Sequence, residues 1–448
     1  MNNKKITISI ILLTFVSILF YQLLVEDYVK ITDSNLESII RDVINKPIGI
    51  IYQRDLAEIK ELSIEGRGIK SLKGIEYMHS LERLNLAKNK INNISQIGEL
   101  KNLIYLDLSS NRIKDISSLE KLKKLKEINL NSNYIEDISV LNTLSDLKVL
   151  DIGNNPIRDI TLISKLRNLE EVKIQHNKIK DITFLLKLRR LKYLDLGDNH
   201  IDDLSPLANL DQLKVLKLNK NKITDIRPLV KLKNLGVLEI SSNPVQNIQL
   251  LDRLENLESL KIKRVGIVKI DFLSALKDLE YLDASNNLIS DISPLRNLDK
   301  LEELYLTANQ LIDLKGLEKL IELKVLNLGD NKINNLEKLS SLSQLKDLQL
   351  FTNRIANIEV VNSLINLESL NLANNKIEDL SPLMELSELK EVDIRFNLID
   401  KIDDNHKIIK DLKDRDINVY QNQVKPFTLF YSDRSKSLLA NLAGLPRG

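Results

Sequence analysis

Cysteine and tryptophan are both missing from this 448-residue chain. Without cysteine there can be no disulfide, no thiolate metal site, no cysteine nucleophile and no lipid anchor on a cysteine sulfur. Aromatic residues make up only 4% of the sequence, so a core must be built from leucine and isoleucine. An excess of charge of one sign is lacking too: 65 basic and 63 acidic residues leave +2, which argues against a nucleic-acid partner. The four histidines, His79, His176, His200 and His406, fall in no His-Glu-x-x-His motif, and no Gly-x-Ser-x-Gly or P-loop spelling occurs. The best metal arrangement would join His176 and His200 to Asp195 and Asp198, and its loose, solvent-exposed spacing argues against it. No metal, no cofactor and no catalysis are expected.

What the sequence does contain is a period of 22 residues. Leu84-Asn85-Leu86-Ala87-Lys88-Asn89 returns as Leu106, Leu108 and Asn111, as Leu194, Leu196 and Asn199, and as Leu370, Leu372 and Asn375. Within one cycle the apolar positions are Leu81, Leu84, Leu86, Ile91, Ile94, Ile97 and Leu100. Alternation at Leu84 and Leu86 predicts a short strand with one buried face. The triplet steps from Ile91 to Leu100 predict extended backbone and a 3₁₀-like turn, too short for an α-helix. Each cycle is thus one coil of a solenoid, and unbroken periodicity from about Ile59 to Asn422 predicts one elongated array despite a length sufficient for several domains.

The Asn of the cycle occupies fourteen of fifteen in-frame positions: Asn89, Asn111, Asn133, Asn155, Asn177, Asn199, Asn221, Asn243, Asn287, Asn309, Asn331, Asn353, Asn375 and Asn397, with Val265 the exception. A carboxamide between buried leucines costs about 1 to 3 kcal/mol if unpaired, so it must bond the backbone where the chain leaves the strand. This spelling defines the leucine-rich repeat. The expected fold is a leucine-rich repeat solenoid of about 16 coils, curved and right-handed, with a parallel sheet on the concave face and 3₁₀ or short helical segments on the convex face.

Residues 1-30 read as a signal peptide or N-terminal membrane anchor: Lys4 and Lys5 precede an apolar run from Ile6 to Val25, and Glu26 and Asp27 follow it. Twenty residues at about 1.5 Å each span a hydrocarbon core of about 30 Å, and the flanking charges favour a cytoplasmic N-terminus. No Ala-x-Ala-like cleavage site follows the run, which favours a retained anchor. The expected location is the extracytoplasmic face of the cell membrane, or secretion if the segment is cleaved.

Residues 31-58 are expected to form a helical cap, with Leu36, Ile39, Ile40, Val43 and Ile44 at helical spacing, Asp33 or Ser34 as N-cap and Pro47 as the stop. Repeats are expected over 59-402, the first carrying Arg67 in the Asn slot. A capping repeat is expected over 403-424, where Ile417 and Val419 respell the strand 25 residues on instead of 22. A tail covers 425-448. Ser205-Pro206, Ser293-Pro294 and Ser381-Pro382 predict capping hydroxyls before a first-turn proline. The Asp two residues before each Ser reads as turn and cap chemistry rather than a calcium stripe.

Several of these stretches resemble the internalin family of bacterial surface proteins. They are Leu36-Glu-Ser-Ile-Ile-Arg-Asp-Val-Ile-Asn-Lys-Pro47, Asp55-Leu-Ala-Glu-Ile59, Gly74-Ile-Glu-Tyr77 and Asn199-His-Ile-Asp-Asp-Leu-Ser-Pro-Leu207. The resemblance covers roughly residues 31 to 422. It implies a solenoid outside the cell whose concave face holds a protein partner, which suits a cysteine-free composition. No Leu-Pro-x-Thr-Gly wall-attachment signal and no immunoglobulin-like module are visible, so host-cell invasion is not implied with the fold.

On each strand the residues beside the buried leucines face the concave side and form columns. Aromatic and basic members of those columns are the expected contacts of a protein partner. They are Tyr105, Tyr193, Tyr281, Tyr305, Phe351 and Phe396, with Lys173, Lys217, Lys261, Lys263, Arg264 and Arg395. The irregular coil around Val265, with Lys261, Lys263 and Arg264 crowded together, is either a tolerated defect or an individual contact site. A monomer is expected. Two other readings compete: an intracellular scaffold resembling the 22-residue-repeat regulators of phosphatases, and a structural envelope component.

Overall fold

Strands of three residues each, set 22 apart, are what the period becomes in space. The computed structural model describes residues 28–421, and the chain divides into two compact units, Met1–Asp195 and Leu196–Gly448. The apolar run Ile6 to Val25 and the tail 425-448 lie outside the described residues. Among the described residues no helix is long and apolar enough to cross a membrane.

The first unit holds β1 (Glu61–Ser63), β2 (Arg83–Asn85), β3 (Tyr105–Asp107), β4 (Glu127–Asn129), β5 (Val149–Asp151), β6 (Glu171–Lys173) and β7 (Tyr193–Asp195). Neighbours pair parallel and in register, Leu62 opposite Leu84 and Leu84 opposite Leu106. The second unit holds β8 (Val215–Lys217), β9 (Val237–Glu239), β10 (Ser259–Lys261), β11 (Tyr281–Asp283), β12 (Glu303–Tyr305), β13 (Val325–Asn327), β14 (Asp347–Gln349), β15 (Ser369–Asn371), β16 (Glu391–Asp393) and β17 (Asn418–Tyr420). These too pair parallel, as Leu216 with Leu238 and Leu282 with Leu304. Short 3₁₀ segments such as Ser95–Glu99 and Asp271–Ala275 return the chain. Leu81, Leu84, Leu86, Ile91, Ile94, Ile97 and Leu100 are all buried, and so are most of their equivalents in the other coils, with Ile157, Val245 and Ile248 half-exposed. Both units are leucine-rich repeat solenoids.

The Asn of each coil bonds its carboxamide to backbone. Asn111 Nδ2 donates to the carbonyls of Leu86 (2.9 Å), Leu108 (3.0 Å) and Ser109 (3.2 Å), and its Oδ1 accepts from the Ile91 amide (3.0 Å). The residue before each Asn is left-handed although it is not glycine, as at Lys88, Ser110, Ala308 and Phe396, with φ of 57°, 55°, 57° and 58°. Such a conformation costs roughly 1 to 2 kcal/mol per residue, and the rung bonds on either side hold it. Where Val265 breaks the series, Asn287 Oδ1 accepts three amides at once, from Val265 (3.0 Å), Gly266 (3.0 Å) and Ile267 (3.1 Å). The following rung thus ties down the backbone at the gap, one amide more than Asn89 or Asn243 takes.

Helix α1 (Ser34–Val43) covers the first coil, burying Leu36 and Ile40. Asp33 caps it and also joins it to the solenoid: one carboxylate oxygen accepts from the amides of Asn35 and Leu36, the other from those of Lys70 and Ser71. The expected stop at Pro47 is corrected. The helix ends on Asn45, left-handed at φ 52°, with Lys46 N donating to Arg41 O (2.9 Å) and Asn45 N to Asp42 O (3.2 Å). That is a Schellman motif, for which Asn is suited because it tolerates the left-handed region. A one-turn helix, α2 (Gln53–Leu56), leads into β1.

At the other end α3 (Asp404–Asp414) buries Asn405, Ile409 and Leu412. The expected spacing of 25 is also corrected: Val419 lies opposite Val392, 27 residues on, because a helix of 11 residues replaces the short turn. An even shift keeps the same side chains on the core face. Ser205 and Ser381 do not cap their 3₁₀ turns. Asp203 Oδ1 accepts from Ser205 N (2.8 Å) and Asp379 Oδ1 from Ser381 N (2.8 Å), while both hydroxyls donate to the same carboxylates. Ser293 N likewise donates to Asp291. An acceptor that is already charged outcompetes a hydroxyl for an orphan amide.

Replacing Asn309 with Ala strands Ile289 N and takes one of two bonds from the carbonyls of Ala284 and Leu306, which keep those from Asn287 and Asn331, and should cost about 2 kcal/mol in denaturant unfolding. Val265→Asn, which restores the missing rung, should raise the melting temperature.

Candidate functional site

In β3 to β15 the middle residue of the strand is a buried aliphatic and its two neighbours are half-exposed. Those neighbours, with the residue after the second leucine, give each unit a strand face of three columns. Leucine packing fixes the backbone beneath, so composition on the face can vary freely.

In the first unit that face is mainly polar. The Arg83 guanidinium lies 4.3 Å from the Tyr105 ring centre, and Lys173 Nζ lies 5.1 Å from that of Tyr193 while pairing with Glu171 at 2.6 Å. Asn129 Nδ2 donates to Asp107 (3.0 Å) and Asn131 Nδ2 to Asp151 (3.1 Å). Burial pushes the Asp151 carboxyl up. Tyr105 and Tyr193 lie four strands apart, about 19 Å at the usual strand spacing, and so belong to separate patches.

The second unit brings the predicted residues together. Glu239 Oε1 receives both Lys217 and Lys261, each at 3.2 Å. Lys261 Nζ then reaches to 5.4 Å from the Tyr281 ring centre. Tyr281 and Tyr305 stack with centroids 5.4 Å apart and planes tilted by 38°, an arrangement worth about 0.5 to 1.5 kcal/mol beyond burial. Tyr305 Oη donates to Glu303 (2.8 Å), which fixes the ring. Two strands along, Phe351 lies over Gly329: a Cβ there would sit 2.3 Å from the ring carbons. Glycine is therefore the seat that lets the ring lie flat on the sheet.

The remaining predicted residues lie elsewhere. Lys263 is half-exposed in the third column of its coil, its amide bonded to Ser241 Oγ at 3.0 Å. Arg395 is held by Asp393 through Nε at 2.9 Å and lies 5.9 Å from the Tyr420 ring centre. Arg264 and Phe396 are not on strands at all: both occupy the left-handed corner, at φ 55° and 58°, with Phe396 44% exposed. The positions before the ladder Asn turn away from the sheet.

The sequence reading missed Glu239 and Glu303, the two carboxylates that order the patch, because neither is aromatic or basic. It also missed Gly329. A signal for that one was present: the column after the second leucine carries glycine at Gly153, Gly197 and Gly329, and at each a side chain of the next coil, Gln175, Asn219 or Phe351, leans over it.

Fold and face together define a leucine-rich repeat protein with an open strand surface. The family description "Leucine Rich repeats (2 copies)" matches residues 101–143, 125–166, 145–187, 167–209, 277–319 and 365–406, and "Leucine rich repeat" matches 189–245. Among solved structures, an internalin (inlF) from Listeria monocytogenes is 32% identical, with 80% of this chain and 94% of that one covered and a TM-score of 0.55. The chain belongs to the internalin-type leucine-rich repeat proteins. A leucine-rich repeat protein of Leptospira interrogans (23% identical; 82% and 97% covered; TM-score 0.65) shares the fold. So does the plant peptide hormone receptor RGFR1, solved in complex with RGF2 (19%; 76% and 65%; 0.55). No curated protein sequence matches.

Burial pushes the Tyr281 hydroxyl up from 10.0 to about 12, with Asp283, Glu303 and Glu239 adding to the shift. Tyr305 moves the same way, through burial and its bond to Glu303. A raised folded-state value makes the stability tied to Tyr281 complete below pH 10 and lost as pH climbs towards about 12. In an absorbance titration, Tyr281→Phe should remove a phenolate signal that appears only near that upper limit.

Proposed function

We propose that this chain is a membrane-anchored, extracytoplasmic binding scaffold that grips a protein partner on its strand face and catalyses nothing itself. The observation that carries this reading is the Tyr281–Tyr305 pair, stacked and tied to Glu303, with Phe351 seated on Gly329 in the same unit. Rigid aromatic rings that stay half in water lose little entropy on binding and dominate interface energies. Lys217 and Lys261, neutralised from one side by Glu239, supply orientation at the border of the patch. The peptide-bound plant receptor supports a polypeptide ligand on this fold.

Placement outside the membrane rests on the sequence: lysines before the apolar run Ile6 to Val25 and acids after it favour export of the repeat region. The same run, with no cleavage signal, supports a retained tether.

The triple substitution Tyr281→Ala, Tyr305→Ala and Phe351→Ala should weaken capture of the partner by at least about tenfold while shifting the melting temperature little. Unchanged capture would remove this patch. Protease added to intact cells should degrade the chain, and deletion of residues 1–25 should release it from the membrane fraction; a chain that resists protease and fractionates identically without the segment would point to an intracellular scaffold.

A further inference from the structure

Exposed large apolar side chains are mostly scattered singly over the described residues, but four of them, Tyr28, Val43, Ile48 and Ile50, fall close together at the start of the described chain. Ile48 is 82% exposed and Ile50 52%. They sit on a loop that is built, not loose. The Arg41 guanidinium donates to the carbonyls of Lys46 (3.1 Å) and Gly49 (3.0 Å) and is itself held by Glu37 at 2.7 Å. Pro47 restricts the backbone between them, and Asp55 takes the Lys46 ammonium (2.7 Å) and the Tyr52 amide (2.8 Å). The loop therefore holds two isoleucines in water and cannot fold them away.

Two extended segments form the base of this loop. Tyr28 pairs antiparallel with Tyr52, and Val29 N donates to Ile51 O at 2.9 Å. Alternation then turns Val29 and Ile51 inward, each 2% exposed, and leaves Tyr28, Lys30, Ile50 and Tyr52 on the outer side. Lys46 and Arg54 lie over the Tyr52 ring at 5.1 and 4.7 Å. The outer side thus combines isoleucine, tyrosine and basic groups, the composition that favours the boundary between lipid headgroups and acyl chains. The covalent chain supplies the link: Val25, the last residue of the apolar run, precedes Tyr28 by only three residues in the sequence.

We propose that the loop from Val43 to Tyr52 is an interfacial foot, whose Ile48 and Ile50 enter the headgroup region of the bilayer beside the anchor while Lys30, Lys46 and Arg54 meet anionic lipid. The inference rests on the retained-anchor reading above. A tether alone leaves the cap free to swing, whereas a second apolar contact close to it fixes how the cap meets the membrane.

The absence of native tryptophan makes the test direct. Full-length chains carrying Ile48→Trp, Ile50→Trp or, as a control from the second unit, Ile321→Trp (54% exposed in the parent) are reconstituted into vesicles of phosphatidylcholine and phosphatidylglycerol with brominated acyl chains. In the Ile48→Trp and Ile50→Trp chains the single indole should show blue-shifted emission and lose roughly half its intensity to bromine, in keeping with burial by about 5 to 10 Å; the Ile321→Trp chain should show neither. If the protein floats with the vesicles but all three variants behave alike, the foot is overturned and the anchor stands. A blue shift without bromine quenching means that protein covers the loop, and also overturns it. If the chain does not float at all, the anchor reading fails and the foot fails with it.

Discussion

One buried carboxamide per coil is the constraint on which both solenoids depend. An asparagine side chain between leucines is stabilised by bonding its amide hydrogens and oxygen, and the partners available are backbone groups of its own coil and of the coil before. That requirement fixes the corner after each strand and stabilises a left-handed residue immediately before the Asn. It also sets the distance to the next coil. Leucine burial provides most of the stability, but it is directionless; the rung bonds make the repeat keep its length.

The two ends show the same constraint met by other means. Arg67 occupies the first Asn slot, where a long cation cannot enter the core, and Asn35 from α1 donates to its exposed carbonyl at 2.8 Å. At the far end Asn405, 1% exposed and inside α3, accepts from Leu380 N and donates to the carbonyls of Glu378 and Ile399. The C-terminal cap helix thus brings its own asparagine to finish buried backbone that the ladder leaves open, and the N-terminal one is joined to the first coil through Asn35 and Asp33. A greasy lid without such a residue would bury unpaired amides and carbonyls.

Because core and corners are settled by the repeated residues, the strand face is free to be individual. Its order comes from short links within and between adjacent coils, such as Glu239 with two lysines and Tyr305 with Glu303. Exposed pairs of this kind contribute little to stability. Their consequence is positional, since a tyrosine already held in one rotamer has less entropy to lose on contact.

The sequence by itself determined the coil, the strand in it, the identity of the core and the role of the Asn, because each is written as a strict period and recurs in fourteen copies. It also marked the face on which Tyr281, Tyr305 and Phe351 lie, through two-residue alternation alone. Only the tertiary structure decided that Tyr281 meets Tyr305 while Tyr105 stands apart, that Gly329 makes room for Phe351, and that Arg264 and Phe396 leave the sheet at the corner. It likewise decided where each cap helix stops and that aspartate, not serine, closes the 3₁₀ turns. The physical reason is the same throughout: periodicity encodes which side of the chain is buried, whereas contacts between neighbouring coils depend on rotamers, competing acceptors and local backbone angles that no single repeat contains.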